Sequence, residues 1–453
     1  MLHRRRADGP LAGPARVPVG GTRAAHGRWR AASAAVRERG HACSGRAQGP
    51  RAAYGDPVPR SPLVLAALAT VAVPELDAID VRRASHTSPG IDAAVVIDAE
   101  GTRWVVQAPQ DATAGATLEA EMALLGALAA HVDAGDLPFA VPVPEGSVAL
   151  PEGGRAIVHR QLAGRPLRLP DLGPGPGLAA ALGRALAALH ELPTSVVEDT
   201  GLPVYSADEY RDRRLSEVDE AAATGQVPTV LLRRWERALE DVAMWRFQPT
   251  VVHGDLSAEH VLCGKAEPIA VLGWSEAKVA DPADDLAWLL VAAPQEAIDP
   301  IMESYNLRRT ELRDPHLAAR ALLAGELAVA RWLLHGVHLG DQTIVDDAQE
   351  MLDELAEQIT AHDEEAAALV LAEREAAEQE ARAAAEQAER EAAEQEQAGQ
   401  DAADREVAEQ EQVQTGNDAT SPSATEGGDG PRPTDRHGDE AAPDESVLPP
   451  VRD

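Results

Sequence analysis

The chain is best understood from Val251-Val-His-Gly-Asp-Leu-Ser-Ala-Glu-His-Val-Leu262, which is followed by Ile269-Ala-Val-Leu-Gly-Trp-Ser-Glu-Ala277 and Asp281-Pro-Ala-Asp-Asp-Leu-Ala287. Each segment alone is a weak signal, but their order and close spacing are typical of a phosphoryl-transfer site. Asp255 follows His-Gly on a predicted loop, and His260 comes five residues later. Protein-kinase catalytic loops use the same spacing, because the acid accepts the proton of the attacking hydroxyl while the later side chain turns toward a magnesium ion.

These segments resemble the aminoglycoside phosphotransferase family of kinase-like enzymes. The resemblance rests on His253-Gly-Asp-Leu256, on Trp274 and on Asp281-Pro282. The variant Glu259-His-Val-Leu262, with Gly273-Trp-Ser-Glu-Ala277, is closer to the macrolide phosphotransferase branch. In that branch a histidine commonly fills the asparagine position of the catalytic loop.

The resemblance covers roughly residues 61–358 and implies a two-lobed, protein-kinase-like α+β fold. A small lobe with a mixed β-sheet would precede a large, mostly helical lobe. The resemblance also implies ATP or GTP as the phosphate donor, Mg²⁺ as the metal, and a hydroxyl group of a small molecule as the acceptor. The resemblance also implies a role for each of several residues. Asp255 would be the catalytic base, and His253, Asp281 and Asp285 would brace the loop. His260 and Glu276 would be metal ligands, and Gln107, Glu121 and Gln161 would lie on the cofactor side.

Two departures from the family pattern bear on activity. The residue before the tryptophan is normally an aspartate that binds magnesium, and here it is Gly273, which has no side chain. The small-lobe strand normally carries a basic residue that holds the nucleotide phosphates, and Gln107 stands in that position. The only lysines, Lys265 and Lys278, both follow the catalytic loop, so no lysine can perform the small-lobe role. Glu121, which would pair with that basic residue, instead starts a helix without its usual partner.

Two functions from different classes therefore stay open. The first is an ATP- or GTP-dependent phosphotransferase that acts on a hydroxyl of a small, cationic, macrolide- or aminoglycoside-like molecule. The second is a catalytically impaired kinase-like binding protein. The retained His253, Asp255 and His260 favour the first function, and Gly273 and the small-lobe glutamine favour the second.

The hydrophobic pattern predicts the elements of both lobes. Helices are expected at 62–72, 116–132, 178–190, 231–244, 284–291 and 317–335, and a hairpin at 95–106. Further strands are expected at 139–144, 155–162, 251–252 and 269–272, with a lobe hinge beginning at Gln161. The segment 85–92 occupies the place of a phosphate-covering loop, although it contains a single glycine.

Composition separates both ends of the chain from the fold. Residues 1–60 contain twelve arginines and three acids with no sustained apolar period, which predicts a disordered extension. The Ala/Glu-rich segment that follows the fold has no apolar seam, so a solvated helix from about 346 to 414 is expected. The predicted domains are the extension (1–60), a small nucleotide-side lobe (61–160), a large lobe with the catalytic loop (161–360), a solvated helix (361–415) and a disordered acidic tail (416–453).

The formal net charge is −34, and the part between the two ends is itself strongly acidic. This charge argues against nucleic acid as a partner, because such binding depends on cationic contacts to phosphates. The negative charge fits a nucleotide-dependent protein whose acceptor is cationic. The acidic C-terminal helix also offers a surface for a contact with another protein. Cys43 and Cys263 are the only cysteines and the longest apolar run is too short to span a bilayer, so we expect a cytoplasmic protein without a membrane partner.

Overall fold

A computed structural model describes residues 59–84, 88, 90–151, 153–310 and 314–417. The predicted extension, except for its last two residues, and the tail beyond residue 417 lie outside the described residues. Most of the phosphate-covering loop predicted at 85–92 also lies outside them. The chain divides into one compact unit that ends at residue 367 and a second unit that begins at residue 368.

The small lobe is a five-stranded antiparallel sheet with one helix before its first strand and a second helix between its third and fourth strands. The strands are arranged in the order β1-β2-β3-β5-β4. Ser61 caps the first helix, since its hydroxyl accepts a hydrogen bond from the Val64 amide. The elements are α1 (Pro62–Ala72), β1 (Ala78–Arg83), β2 (Ile91–Asp98), β3 (Arg103–Pro109), α2 (Ala112–Ala134), β4 (Pro144–Ala149) and β5 (Arg155–Arg160).

Strand β3 has two chemically different faces. Trp104, Val106 and Ala108 are buried in one cluster with residues of α1. Because side chains alternate along a strand, Val105 and Gln107 lie on the opposite face. Gln107 pairs there with Ile157 of β5, which packs with residues of α2. Gln107 therefore lies on the face of the sheet that packs against α2.

The large lobe is mostly helical and contains two small sheets, β10-β7 and β6-β8-β9. The helices of this lobe pack against one another in pairs. The elements are β6 (Arg165–Pro166), α3 (Leu178–His190), α4 (Ser195–Glu198), α5 (Ala207–Ala223), α6 (Thr229–Glu240), β7 (Thr250–Val252), β8 (Val261–Cys263), β9 (Pro268–Val271), β10 (Lys278–Ala280), α7 (Ala283–Ala292), α8 (Gln295–Arg308), α9 (Leu317–Leu339) and α10 (Gln342–Asn417), with short 3₁₀ turns at Leu169–Asp171 and Trp274–Glu276.

Close packing of α3 against α8 depends on a glycine. A Cβ atom at Gly183 would lie 2.3 Å from the carbonyl oxygen of Ile301 and 2.3 Å from the hydroxyl of Ser304. No side chain fits in that space, so the backbones of the two helices can approach each other only with glycine at this position. The approach brings His190, at the end of α3, within hydrogen-bonding distance of Tyr305 on α8.

Helix α10 starts four residues before the predicted position and ends three residues after it. Its first five turns pack on the fold, and from Thr360 onward the described side chains are exposed apart from Ala366. None of the helices in the described ranges is both long enough and apolar enough to cross a membrane. The buried residues of α10 are Ile344, Val345, Ala348, Met351, Leu352, Leu355 and Ile359.

We predict that truncation after residue 365 changes the melting temperature by less than about two degrees, because the exposed helix beyond that point buries no apolar surface. As a matched contrast, Leu352→Ala should lower the free energy of unfolding by about 2–5 kcal/mol, since Leu352 is fully buried. Thermal unfolding of both variants checks the pair. A loss of several degrees on truncation would show that the outer helix stabilises the fold.

The sequence placed the start of the fold at residue 61, but Arg60 is already part of it. Its guanidinium donates a hydrogen bond of 3.1 Å to the buried carboxylate of Asp92 and one of 2.9 Å to the carbonyl oxygen of Pro109. Its backbone amide also donates to Asp92 at 3.0 Å. The folded part therefore includes Arg60.

Deletion of residues 1–58 should accordingly leave a cooperative unfolding transition. Arg60→Ala in the same shortened chain should lower the free energy of unfolding by about 3 kcal/mol, because a buried carboxylate loses its cation. Urea unfolding of the two chains measures the difference. Equal free energies of unfolding would mean that the Gln110 amide, 2.8 Å from Asp92, is a sufficient partner for the carboxylate.

Candidate active site

The catalytic loop connects two short buried strands. It begins after β7 ends at Val252 and closes where β8 begins at Val261. Strand β7 pairs with β10, and β8 pairs with β9, so both ends of the loop are fixed by sheet hydrogen bonds. The loop carries His253, Asp255 and His260, which the sequence singled out.

The carboxylate of Asp285, at the start of α7, anchors the beginning of this loop. It accepts the backbone amides of His253 at 2.8 Å and Gly254 at 2.9 Å. The ring of His190 lies 3.2 Å from the same carboxylate through Nε2, and its Nδ1 lies 2.8 Å from the hydroxyl of Tyr305. Burial alone would raise the pKa of Asp285, but the hydrogen bond and charge of His190, with His253, hold it below the usual value. The loop is thus tied to both α3 and α8.

His253 holds the loop from inside. Its Nε2 lies 2.7 Å from the carbonyl oxygen of Leu272, and its Nδ1 accepts the amide of Asp255 at 3.3 Å. Burial lowers the pKa of His253, so the ring is neutral and donates through Nε2. These contacts suit a structural role in which the imidazole does not titrate.

Asp281 does not contact the catalytic loop, which corrects the expectation that it braces this loop together with Asp285. Its carboxylate forms two hydrogen bonds with the guanidinium of Arg320 on α9, at 2.7 and 3.1 Å, and accepts the amide of Ala283 at 3.0 Å. The physical reason is that Asp285 already takes the free amides at the start of the loop. Asp281 instead neutralises a buried arginine.

The imidazole of His260 fills the space beside Gly273. Its Nδ1 lies 2.7 Å from the carbonyl oxygen of Asp255, so that nitrogen carries the proton and donates. A Cβ atom at Gly273 would lie 2.8 Å from Nε2 of the same ring. Gly273 also has a φ of +79°, which most side chains disfavour. A side chain at the position of the family's aspartate would therefore strain the backbone and would have to displace this ring.

On the small-lobe side, Glu121 of α2 contacts the large lobe. Its carboxylate accepts the backbone amide of Trp274 at 3.1 Å. Burial raises the pKa of Glu121 to about 7, and the Trp274 amide offsets only part of this effect. Where related kinases pair such an acid with a lysine, this chain uses a neutral backbone donor.

The other two cofactor-side residues make few contacts. Gln107 faces α2, and no hydrogen bond from its side chain is found within the described part of the chain. Gln161 directly follows β5, and its backbone amide donates to the carbonyl oxygen of Arg103 at 2.8 Å, while its side chain is exposed. The structure thus places Gln161 at the exit from the small sheet.

A cavity of about 400 Å³ opens beside Asp255 and Glu276 on the large-lobe side. Glu276 is exposed, and its carbonyl oxygen accepts a hydrogen bond from Lys278 at 3.3 Å. Asp255 thus faces a space large enough for a small molecule. Most of the remaining lining comes from β10, α5, α7 and α9, and the sequence motifs did not indicate the contributions of α5 and α9 because these helices lie far from the loop in sequence.

Positions 260 and 273 offer no oxygen side-chain ligand for Mg²⁺. Magnesium requires oxygen ligands in a near-octahedral arrangement, usually with one or two carboxylates. Gly273 offers none, and His260 offers a nitrogen. Within the described ranges, no three or more His, Cys, Asp or Glu side chains are grouped so that they could hold a metal ion.

A small antiparallel sheet lobe, a large helical lobe and an acid on the loop between β7 and β8 define a protein with a kinase-like fold. The Phosphotransferase enzyme family matches residues 88–323, which is just over half of the chain. The chain therefore belongs to this family, as its motifs predicted.

Solved structures give the same fold. The macrolide 2'-phosphotransferase of Brachybacterium faecium is 24% identical, with 64% of this chain and 98% of that chain covered and a TM-score of 0.54. A macrolide 2'-phosphotransferase of type I is 26% identical over 64% of this chain and 96% of its own, also with a TM-score of 0.54. An uncharacterised Bacillus subtilis (strain 168) protein, YcbJ, is 26% identical over 232 residues, which are 48% of this chain and 72% of that protein.

The raised pKa of Glu121 predicts that the stability of the protein depends on pH. Because its pKa is raised in the folded protein from 4.5 to about 7, the folded state holds a proton there that the unfolded state has lost. The stability that this proton provides is complete below pH 4.5 and is lost as the pH rises toward about 7. Glu121→Gln, which can still accept the Trp274 amide, should stabilise the protein at pH 8 by up to about 3 kcal/mol.

Urea unfolding of wild type and Glu121→Gln at pH 5 and pH 8 measures this effect. The difference between the two proteins should be larger at pH 8. The exposed Glu119 on the same helix provides a matched control, since Glu119→Gln should show no such dependence. An equal difference at both pH values would contradict the raised pKa.

Proposed function

We propose that this chain is a small-molecule-binding protein built on the phosphotransferase scaffold, with its acceptor side kept and its metal-dependent side remodelled. The observation that carries the proposal is the contact between His260 and Gly273. A Cβ atom at residue 273 would lie 2.8 Å from Nε2 of the His260 ring, so a side chain at this position requires the ring or the backbone to shift. In the proposed function, the site therefore differs from the family pattern in the packing around residue 273 as well as in the missing carboxylate.

The size of the expected loss in catalytic rate supports this proposal. Removal of one preorganised electrostatic contact from an active site typically costs about 10²–10³ in rate, or about 2.7–4 kcal/mol. Gly273 and Gln107 each stand where such a contact is expected. Two losses of this size would reduce phosphoryl transfer far below the rate of an active enzyme.

The acceptor side supports ligand binding. The loop that carries Asp255 is anchored by Asp285 and His253 through buried hydrogen bonds, and it faces the cavity. A concave space of this size with convergent polar groups in its lining suits a small molecule. In a binding protein, Asp255 would accept a hydrogen bond from a hydroxyl of the ligand.

A second candidate function is ATP- or GTP-dependent O-phosphorylation of a small-molecule hydroxyl. The position of Asp255 at the wall of the cavity favours it, since a general base must reach the acceptor hydroxyl. Structures of aminoglycoside 2'-phosphotransferase-IIIa contain GDP, which supports a nucleotide as the donor in such a fold. With neither a metal carboxylate nor a small-lobe cation, nucleotide binding by this chain should be weak and independent of magnesium.

Restoring the missing ligand separates the two functions. Gly273→Asp alone should bind Mg²⁺-ATP poorly, because the new side chain meets the His260 ring. The double variant Gly273→Asp/His260→Asn has room for the carboxylate and supplies an oxygen ligand at both positions. We expect it to gain magnesium-dependent binding of ATP or GTP by about tenfold or more over wild type.

Calorimetry with each nucleotide, with and without magnesium, measures this gain, and His260→Asn alone is the matched control. Thermal unfolding checks that all four proteins are folded. Tight, magnesium-dependent binding by the wild type, with phosphorylation of a macrolide or aminoglycoside that Asp255→Asn abolishes, would overturn the proposal in favour of the enzyme.

A further inference from the structure

Strand β1 lies at one edge of the small-lobe sheet, far from the catalytic loop in sequence. The sheet order begins with β1, and within the described ranges only β2 pairs with it. An edge strand presents a row of backbone amides and carbonyl oxygens with which a further strand can pair. The outer edge of β1 is therefore a surface on which an extended segment of another chain can dock.

The hydrogen bonds between β1 and β2 define which residues face this outer edge. The amide of Ala84, directly after β1, donates to a carbonyl oxygen of β2 at 3.3 Å. In an antiparallel pair, residues that bond to the partner strand alternate with residues that do not. Counting back from Ala84, Arg82 and Asp80 direct their backbone groups toward β2. Val81 and Arg83 direct theirs toward the outer edge.

The side chains of β1 form an apolar row and a charged row. Val81 packs with residues of α1 on one face of the sheet. Asp80 and Arg82 lie on the other face, where Nε of Arg82 donates to the Asp80 carboxylate at 3.1 Å, and their side chains are 47% and 68% exposed. A carboxylate can accept from several donors and a guanidinium has five N–H groups, so this exposed pair can also bond to the same pair of a second chain.

The order of the charges makes β1 complementary to itself. If two copies of the strand pair antiparallel about Val81, Asp80 of each copy lies opposite Arg82 of the other, and opposite charges at such positions attract. The same register uses the outward backbone groups of Val81 and places the exposed Ile79 opposite the aliphatic part of Arg83. Pairing about Arg83 would instead put two like charges directly opposite each other, which is destabilising.

We propose that β1 is a self-association surface, on which a second copy of this chain pairs antiparallel through its own β1 with Val81 at the two-fold axis. Five strands from each copy would then form one continuous sheet. Charges on an edge strand normally discourage pairing with other strands, but a second copy in this register neutralises them, which favours it over an unrelated strand. The opposite edge strand, β4, has no such pattern, since it begins with Pro144 and its only charged residue is Glu145.

Charge reversal tests this pairing in the full chain. Asp80→Arg leaves two positive charges on the strand and Arg82→Asp leaves two negative charges, so each variant would meet like charges in a dimer with itself. When the two variants are mixed, opposite charges face each other again at both positions. Sedimentation equilibrium at low ionic strength measures the mass of the wild type, of each variant and of the equimolar mixture.

We expect the wild type to dimerise as its concentration rises, and each variant alone to dimerise about tenfold more weakly or less, because two attractive pairs become repulsive. The equimolar mixture should return to within about threefold of the wild-type Kd. Glu240→Arg and Arg237→Asp are the matched controls, since they make the same changes of charge at exposed positions of α6 in the large lobe. Thermal unfolding of each variant verifies that it is folded.

Three results would overturn the proposal. The first is a wild type that stays monomeric up to about 200 µM, because β1 would then have another occupant or none. The second is that Asp80→Arg and Arg82→Asp dimerise as tightly as the α6 controls, which would place the interface elsewhere on the protein. The third is that the mixture of the two β1 variants associates no better than either variant alone.

Discussion

The buried carboxylate of Asp285 is the contact on which the rest of the site depends. Two backbone amides and one imidazole converge on it, so the loop from His253 to His260 has a single defined start. Through His190 and Tyr305 the same carboxylate connects the loop to the packed helices α3 and α8. A buried acid with three donors is fully satisfied, and the removal of its charge would leave donors unpaired in a region without water. The position of Asp255 is thus a consequence of helix packing elsewhere in the large lobe.

The two sides of the predicted site match the family pattern to different extents. On the acceptor side, loop, anchor and cavity form a consistent arrangement. On the phosphate side, three positions differ together, since Gly273 has no carboxylate, Gln107 has no charge and Glu121 bonds to a backbone amide. The third difference follows from the second, because a buried acid without a cation must find a neutral donor or become protonated. The departures from the family pattern on the phosphate side are therefore connected with one another.

The sequence was sufficient to predict the fold and to identify the loop, because both depend on local sequence patterns. Apolar periodicity located α1 and α3 at their observed bounds, and the motif order identified the family. Strand β1 was missed because it is largely exposed and its apolar alternation is limited to two large residues, Ile79 and Val81. The partner of Asp281 could not be predicted, since Arg320 lies 39 residues away on a helix whose orientation only the packed lobe defines. The contributions of α5 and α9 to the wall of the cavity could not be predicted for the same reason.

The contact between His260 and residue 273 also has a consequence for how this sequence can evolve. A mutation that returns a carboxylate to position 273 meets the imidazole, while a mutation that first shortens His260 leaves a gap against a glycine. Neither single step improves the site, although the two together could. Such epistasis makes the change at this position close to a one-way event. Descendants of this chain would therefore tend to diversify the cavity around Asp255 before they recover the lost ligand.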